Sequence, residues 1–190
     1  MNLPPTPSQT VGPYLHLGLT DSRSVPSLVG EGVKGQRIRL TCRVLDGDGR
    51  AVPDAMIELW QADADGNYHH PDDPRGAKAD PAFRGFGRMP TGEDGTCAFE
   101  TVKPGPVPGP EGKPQAPHIN VSVLGRGLLN RLSTRIYFSD DSANDSDPAL
   151  ALVPESRRRT LLAQPDLADS GRWRFEVRLC GEGETVFFDV

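Results

Sequence analysis

The sequence predicts an all-β fold: a β-sandwich of mostly antiparallel strands with long loops, an N-terminal arm and one or two short helices. Three observations carry this. Gly (21) and Pro (19) are abundant among 190 residues and cut the chain into short segments. Within those segments apolar and polar residues alternate with a period of two. Turn signals at Asp46-Gly47-Asp48-Gly49, Asp65-Gly66 and Asp94-Gly95 separate them.

A chain of this length suits one domain, with residues 1–34 as arm and loops and 35–190 as the sandwich core. The arm holds no sustained period and needs a surface to lie on. In 38–44, Ile38, Leu40, Cys42 and Val44 alternate with polar residues, and the following Asp-Gly repeat closes a tight turn. Residues 55–60 form the next strand. Residues 69–89, dense in Pro, Gly, Asp and Arg, read as a long excursion. After the strand at 96–102, the run KPGPVPGPEGKP cannot join a central strand and belongs at an edge or end.

Residues 118–124 place Ile119, Val121 and Val123 on one face and His118, Asn120 and Ser122 on the other. Residues 132–138 repeat the pattern, so Arg135 and Tyr137 lie opposite Leu132, Thr134, Ile136 and Phe138. The acidic run SDDSANDSDP reads as a solvated loop, and 154–163 as a helix with Pro154 at its start. In 172–179, Trp173, Phe175, Val177 and Leu179 point inward, and 185–189 closes the chain after a Gly181-Glu182-Gly183 turn. No internal repeat is present.

The formal charge of -5 leaves no electrostatic footprint for nucleic acid or an anionic membrane. No apolar run spans a bilayer and the N-terminal residues lack a leader pattern, which places the protein in the cytoplasm. Cys42, Cys97 and Cys180 have no metal-site or disulfide spacing and read as reduced, packed thiols. Phosphate-loop, Ser-His-Asp and HExxH signatures are absent. Of the four histidines, His16, His69, His70 and His118, the pair after the Asp65-Gly66 turn reads as solvated. His118 opens a strand where a ligand is plausible, but its neighbour on the same face is Asn120, a poor ligand for iron.

Across residues 38–138 the order IRLTCRVLDGDGRAVPDAMIELWQADADGNYHH, FGRMPTGEDGTCAFETVKPG, APHINVSV and STRIYF resembles the intradiol ring-cleaving dioxygenases. In that family two tyrosines and two histidines hold ferric iron. The matching positions here are Tyr68, Val107, His118 and Asn120, so one tyrosine and one histidine are replaced, and Gln115 stands where catalytic chains carry an arginine. Two surviving ligands do not hold Fe(III) firmly. The resemblance extends through TPSQTVGPYLHLGL and RFEVRLCGEGETVFFDV to the iron-free alpha-type subunits of the family. It therefore implies a homologous beta subunit that binds the Fe(3+), an (alpha-beta)n assembly, and cleavage of protocatechuate by O2 in aromatic catabolism. It also implies that Arg135 meets the substrate carboxylate across the subunit interface, and that Gly12 and Pro13 lie beside the partner's iron pocket. The residues taken alone leave other readings open: a surface salt bridge for Arg135, a simple turn for Gly12-Pro13, and structural roles for Tyr68 and His118. At the level of the whole chain the rivals are a transthyretin-like binding module and a self-sufficient metalloenzyme using Tyr68, His118 and His69.

Overall fold

A computed structural model describes residues 4–189. Met1–Leu3 of the arm and the terminal Val190 lie outside the described residues. Among the described residues there are ten strands: β1 (Arg37–Leu45), β2 (Met56–Trp60), β3 (Phe86–Pro90), β4 (Thr96–Val102), β5 (Val107–Pro108), β6 (Pro114–Gln115), β7 (His118–Leu124), β8 (Leu132–Phe138), β9 (Leu162–Asp166) and β10 (Asp169–Arg178). Eight of them follow one another in a nearly closed sheet, β3-β2-β7-β8-β9-β10-β1-β4, and β5 pairs with β6 apart from it. Pairings are antiparallel except β1 with β10 and β8 with β9. The sheet folds over, with β9 making the corner, so two layers enclose one core.

The alternation read from sequence is the pattern that builds this core. Ile38, Leu40, Cys42 and Val44 of β1, Ile119, Val121 and Val123 of β7, and Trp173, Phe175 and Val177 of β10 are all buried together. Leu179 packs at the margin of the same cluster. Burying side chains of this size contributes about 1.5–3 kcal/mol each before conformational entropy is subtracted. Residues 25–30 complete the closure. Val25 exchanges backbone hydrogen bonds with Arg88 on β3, and Leu28 donates to Glu100 on β4, so this segment stitches the two edge strands together. Leu28 is 1% exposed, and there is no space for a side chain at Gly87, where an added Cβ would lie 2.6 Å from Leu28 and 3.0 Å from Phe99.

Several expectations are corrected. Residues 69–89 are not all excursion, because β3 starts at Phe86; its Gly, Arg and Pro hide the period, and pairing with β2 overrides the local preference. The helix expected over 154–163 is one turn, α2 (Glu155–Arg158), followed by a 3-10 turn, after which Leu162 enters β9. Burial of Leu161 and Ala163 decides that outcome. The arm carries a short helix that the sequence reading left out, α1 (Pro13–Leu15), running into a π turn over His16–Asp21. The Asp-Gly repeat after β1 does not lead to an adjacent strand. It forms a small ladder between Leu45 and Ala51, and the chain then crosses to the other layer. Residues 185–189 make only an isolated bridge, Phe188 to Ser133. Cys42 and Cys97 are buried as expected and face each other across β1 and β4, but Cys180 is exposed. The acidic run is not wholly solvated: Asp147 is 1% exposed. Among the described residues no helix is long and apolar enough to cross a membrane.

Truncating Leu28 tests the role of the stitch. Leu28→Ala should cost about 2–5 kcal/mol of unfolding free energy, read by urea denaturation; a loss near zero would mean that residues 25–30 lie on the domain without closing it.

Candidate functional site

The site is built on the face of β7 and β8 that turns away from the main core. Because these strands pair with Asn120 opposite Arg135 and His118 opposite Tyr137, the four side chains share that face. The loop after β2 brings Tyr68 against it, stacked on Trp60 with ring centroids 5.8 Å apart. Its hydroxyl lies 3.5 Å from Asn120 Nδ2. Val107 enters through the β5–β6 ribbon, where it pairs with Gln115, and Gln115 Oε1 accepts a 2.8 Å hydrogen bond from Arg135 Nη1. The structure therefore brings Tyr68, Val107, His118, Asn120, Gln115 and Arg135 into one neighbourhood.

The donor set there does not fit ferric iron. Val107 is buried and has no donor atom. Asn120 turns its amide N–H toward Tyr68, presenting a proton and not a lone pair. Burial pushes the Tyr68 phenol above its ordinary pKa, which raises the cost of forming the phenolate that a ferric ligand must be. Across from Asn120 stands the guanidinium of Arg135, a fixed positive charge that opposes a trivalent cation. His118 is 3% exposed and its Nδ1 faces the Ala116 carbonyl at 2.8 Å. Burial first, and the charge of Arg135 second, bring its pKa down to about 4. Its surroundings hold the imidazole in place as a neutral packed group.

On the same face, beside this cluster, lies a second small core that nothing in the alternation of the sequence marks. Tyr137 is fully buried with Ala116, Leu150, Val153 and Leu161. Its hydroxyl donates to Asp147 Oδ1 at 3.1 Å, and Asp147 also accepts from the backbone N–H groups of Ala116, Ala149 and Leu150. Four donors on one buried carboxylate offset the cost of removing it from water. The signal was present in the sequence as an Asp preceding Pro-Ala-Leu, a residue type that caps a tight turn by bonding backbone two and three residues on. Burial raises the Tyr137 pKa to about 12, with Asp147 adding to the rise.

Outward, Arg135 lines a cleft of about 510 Å³ with Trp60, Phe86, Asn120, Ser122 and Leu152. An ion pair in which Arg88 Nε and Nη2 both reach Glu58 Oε1, at 2.7 and 2.6 Å, fixes one wall. Gly12 and Pro13 are elsewhere. Gly12 precedes the first turn of α1, and the arm is pinned through Thr10 to Gly125 and Gly127, past the far end of β7. At about 3.3 Å per residue that is roughly 16 Å along the strand from Asn120, so this chain alone does not unite Gly12 and Pro13 with Arg135. Among the described residues nothing within 4 Å would obstruct a side chain at Gly12, and its φ of -102° suits any residue. His69 and His70 are exposed at the surface as expected.

The nearly closed eight-stranded sheet and the polar cluster on its outer face match a known class of enzyme. A family model described as Dioxygenase matches residues 11–181, and the chain belongs to the intradiol dioxygenase family. It is similar to the protocatechuate 3,4-dioxygenase alpha chains of Burkholderia cepacia (45% identical, 97% of each chain covered) and Pseudomonas putida (42%, 98% of this chain and 97% of that one). It is also 37% identical to the beta chain from Burkholderia cepacia, over 80% of this chain and 67% of that one. Among solved structures, the dioxygenase domain of a Streptomyces dioxygenase–carbohydrate-binding fusion superposes with a TM-score of 0.63 at 27% identity, covering 94% of this chain and 99% of that domain.

The burial of His118 sets a pH window. The unfolded chain takes up this proton near 6.5 and the folded chain only near 4, so the stability that His118 contributes is complete above the ordinary histidine range and is lost as pH falls from about 6.5 to about 4. A shift of this size is worth on the order of 3 kcal/mol. An NMR titration of the His118 ring should show a midpoint near 4, and His118→Phe should flatten the stability profile across that window; a midpoint near 6.5 would show that the ring reaches water.

Proposed function

We propose that this chain is the iron-free alpha subunit of a protocatechuate 3,4-dioxygenase. With a homologous beta subunit that carries the Fe(3+), it cleaves protocatechuate with O2 between the two hydroxyls to give 3-carboxy-cis,cis-muconate. One observation carries the reading: a chain similar to alpha chains over nearly its whole length places Val107 and Asn120, with the cation Arg135 beside them, where the family places metal ligands. We take residues 1–190 as a single domain whose arm docks on the partner. Tyr14 at 84% exposure and Leu17 at 59% are apolar surface in search of such a contact.

In this reading Arg135 receives the substrate carboxylate, and Gly12 and Pro13 lie against the partner's iron pocket. The open backbone at Gly12 supports the second role, because no contact among the described residues requires a glycine there. Co-expression with an iron-carrying homologue should give a complex that consumes O2 on protocatechuate, whereas the separate chain should consume none. A complex with no oxygen uptake, or a stable chain that never pairs, would favour the rival reading of a plain binding module.

Arg135→Leu in the assembled complex should raise KM for protocatechuate by roughly 10- to 100-fold, the worth of a charge-assisted hydrogen bond. Catechol, which lacks the carboxylate, should be little affected and iron content should stay normal. Equal losses on both substrates would assign Arg135 to the interface or to the shape of the cleft.

A further inference from the structure

The hydrogen bonds around Arg135 are directional, and each one is fixed by a neighbour. Gln115 Nε2 donates to the Pro108 carbonyl at 3.2 Å, which leaves Oε1 as the end of the amide that faces Arg135. Tyr137 has a single hydroxyl proton, and it goes to Asp147. The phenolic oxygen is thereby an acceptor, and Arg135 Nη1 lies 3.4 Å from it. Asp147 in turn cannot swing away, since three backbone N–H groups hold its two oxygens. Both acceptors thus converge on Nη1, whose two protons they consume. Among the described residues Nε and Nη2 of Arg135 have no hydrogen-bond partner, and these two atoms form the side-on edge with which a guanidinium grips a carboxylate through parallel bonds.

From this geometry we infer that Gln115 and Tyr137, anchored by Pro108 and Asp147, are positioning residues: they clamp Arg135 by Nη1 and reserve its Nε/Nη2 edge for the carboxylate of an aromatic substrate. The ligand pocket that no longer suits a metal is thereby reused as a socket for the arginine that selects the substrate. The inference rests on the role proposed for Arg135 and adds how that role is achieved. An unclamped arginine would have to lose side-chain freedom on binding, and the clamp removes that cost in advance.

The test uses the complex of this chain with its iron-carrying partner and two variants that keep side-chain volume, Gln115→Met and Tyr137→Phe. Kinetics on protocatechuate and catechol are paired with calorimetric binding, without O2, of 4-hydroxybenzoate and phenol, which differ only in the carboxylate. Each variant should raise KM for protocatechuate and weaken 4-hydroxybenzoate about two- to tenfold, as expected for one neutral hydrogen bond. Values of kcat, catechol KM and phenol binding should stay unchanged. Gln115→Glu separates orientation from charge: it keeps the acceptor but sets a carboxylate against the guanidinium that competes with the ligand's own, and should weaken 4-hydroxybenzoate at least as much as Gln115→Met. If Arg135→Leu weakens the carboxylated ligands and the two clamp variants do not, the positioning role is overturned while the contact stands. If Arg135→Leu itself has no selective effect, the underlying reading falls and the clamp with it. Losses of equal size with and without the carboxylate would make Gln115 and Tyr137 purely structural.

Discussion

The pleat of β7 and β8 is the constraint on which the rest depends. With a period of two, sending Ile119, Val121, Val123 and Ile136 into the core obliges His118, Asn120, Arg135 and Tyr137 to share the opposite face. A slip of one residue would bury Arg135 and expose the isoleucines, at a cost far beyond the few kcal/mol that separate folded from unfolded chains. The core therefore fixes the site. Trp60, opposite Asn120 on β2, then supplies the surface on which Tyr68 stacks.

That face carries the wrong donors for a ferric ion. A ferric site needs anionic or lone-pair donors directed at one point, with every remaining group tuned to keep them deprotonated. Here Val107 offers no donor atom, Asn120 turns an N–H toward Tyr68, and the guanidinium of Arg135 already supplies a positive charge. What remains is a polar cluster in which Gln115 and Tyr137 accept from Arg135, and Asp147 accepts from Tyr137. The burial of Asp147 and Tyr137 beside it gives this cluster a rigid support, and that rigidity is what a site-completing subunit would need to present a charge to a neighbour.

Much of the fold was legible because alternation is a direct image of burial. Strands at 38–44, 96–102, 118–124 and 132–138 were read within a residue or so of their observed bounds, since each has one face in the core and one outside. The strands that escaped lack that image. Phe86-Gly87-Arg88-Met89-Pro90 carries a glycine where Leu28 and Phe99 close in, and Leu162 to Asp166 includes a proline and pairs in a corner. Long-range closure by Leu28 was equally hidden, because nothing local marks residue 28 as core. At the site, the substituted ligand positions were legible by resemblance and Arg135 by alternation. Asp147 was not, since an Asp in an acidic run looks solvated until its four donors are seen.

The central claim is that this chain supplies half of an iron enzyme without holding the iron, and metal content tests it most directly. The isolated chain, equilibrated with ferric citrate and desalted, would be analysed for iron and for the visible absorption of a ferric–phenolate bond. The account predicts background iron and no such band, because Val107 and Asn120 leave Tyr68 and His118 without enough partners to hold the ion. One iron per chain with a phenolate band would contradict it and make this polypeptide a metalloenzyme in its own right.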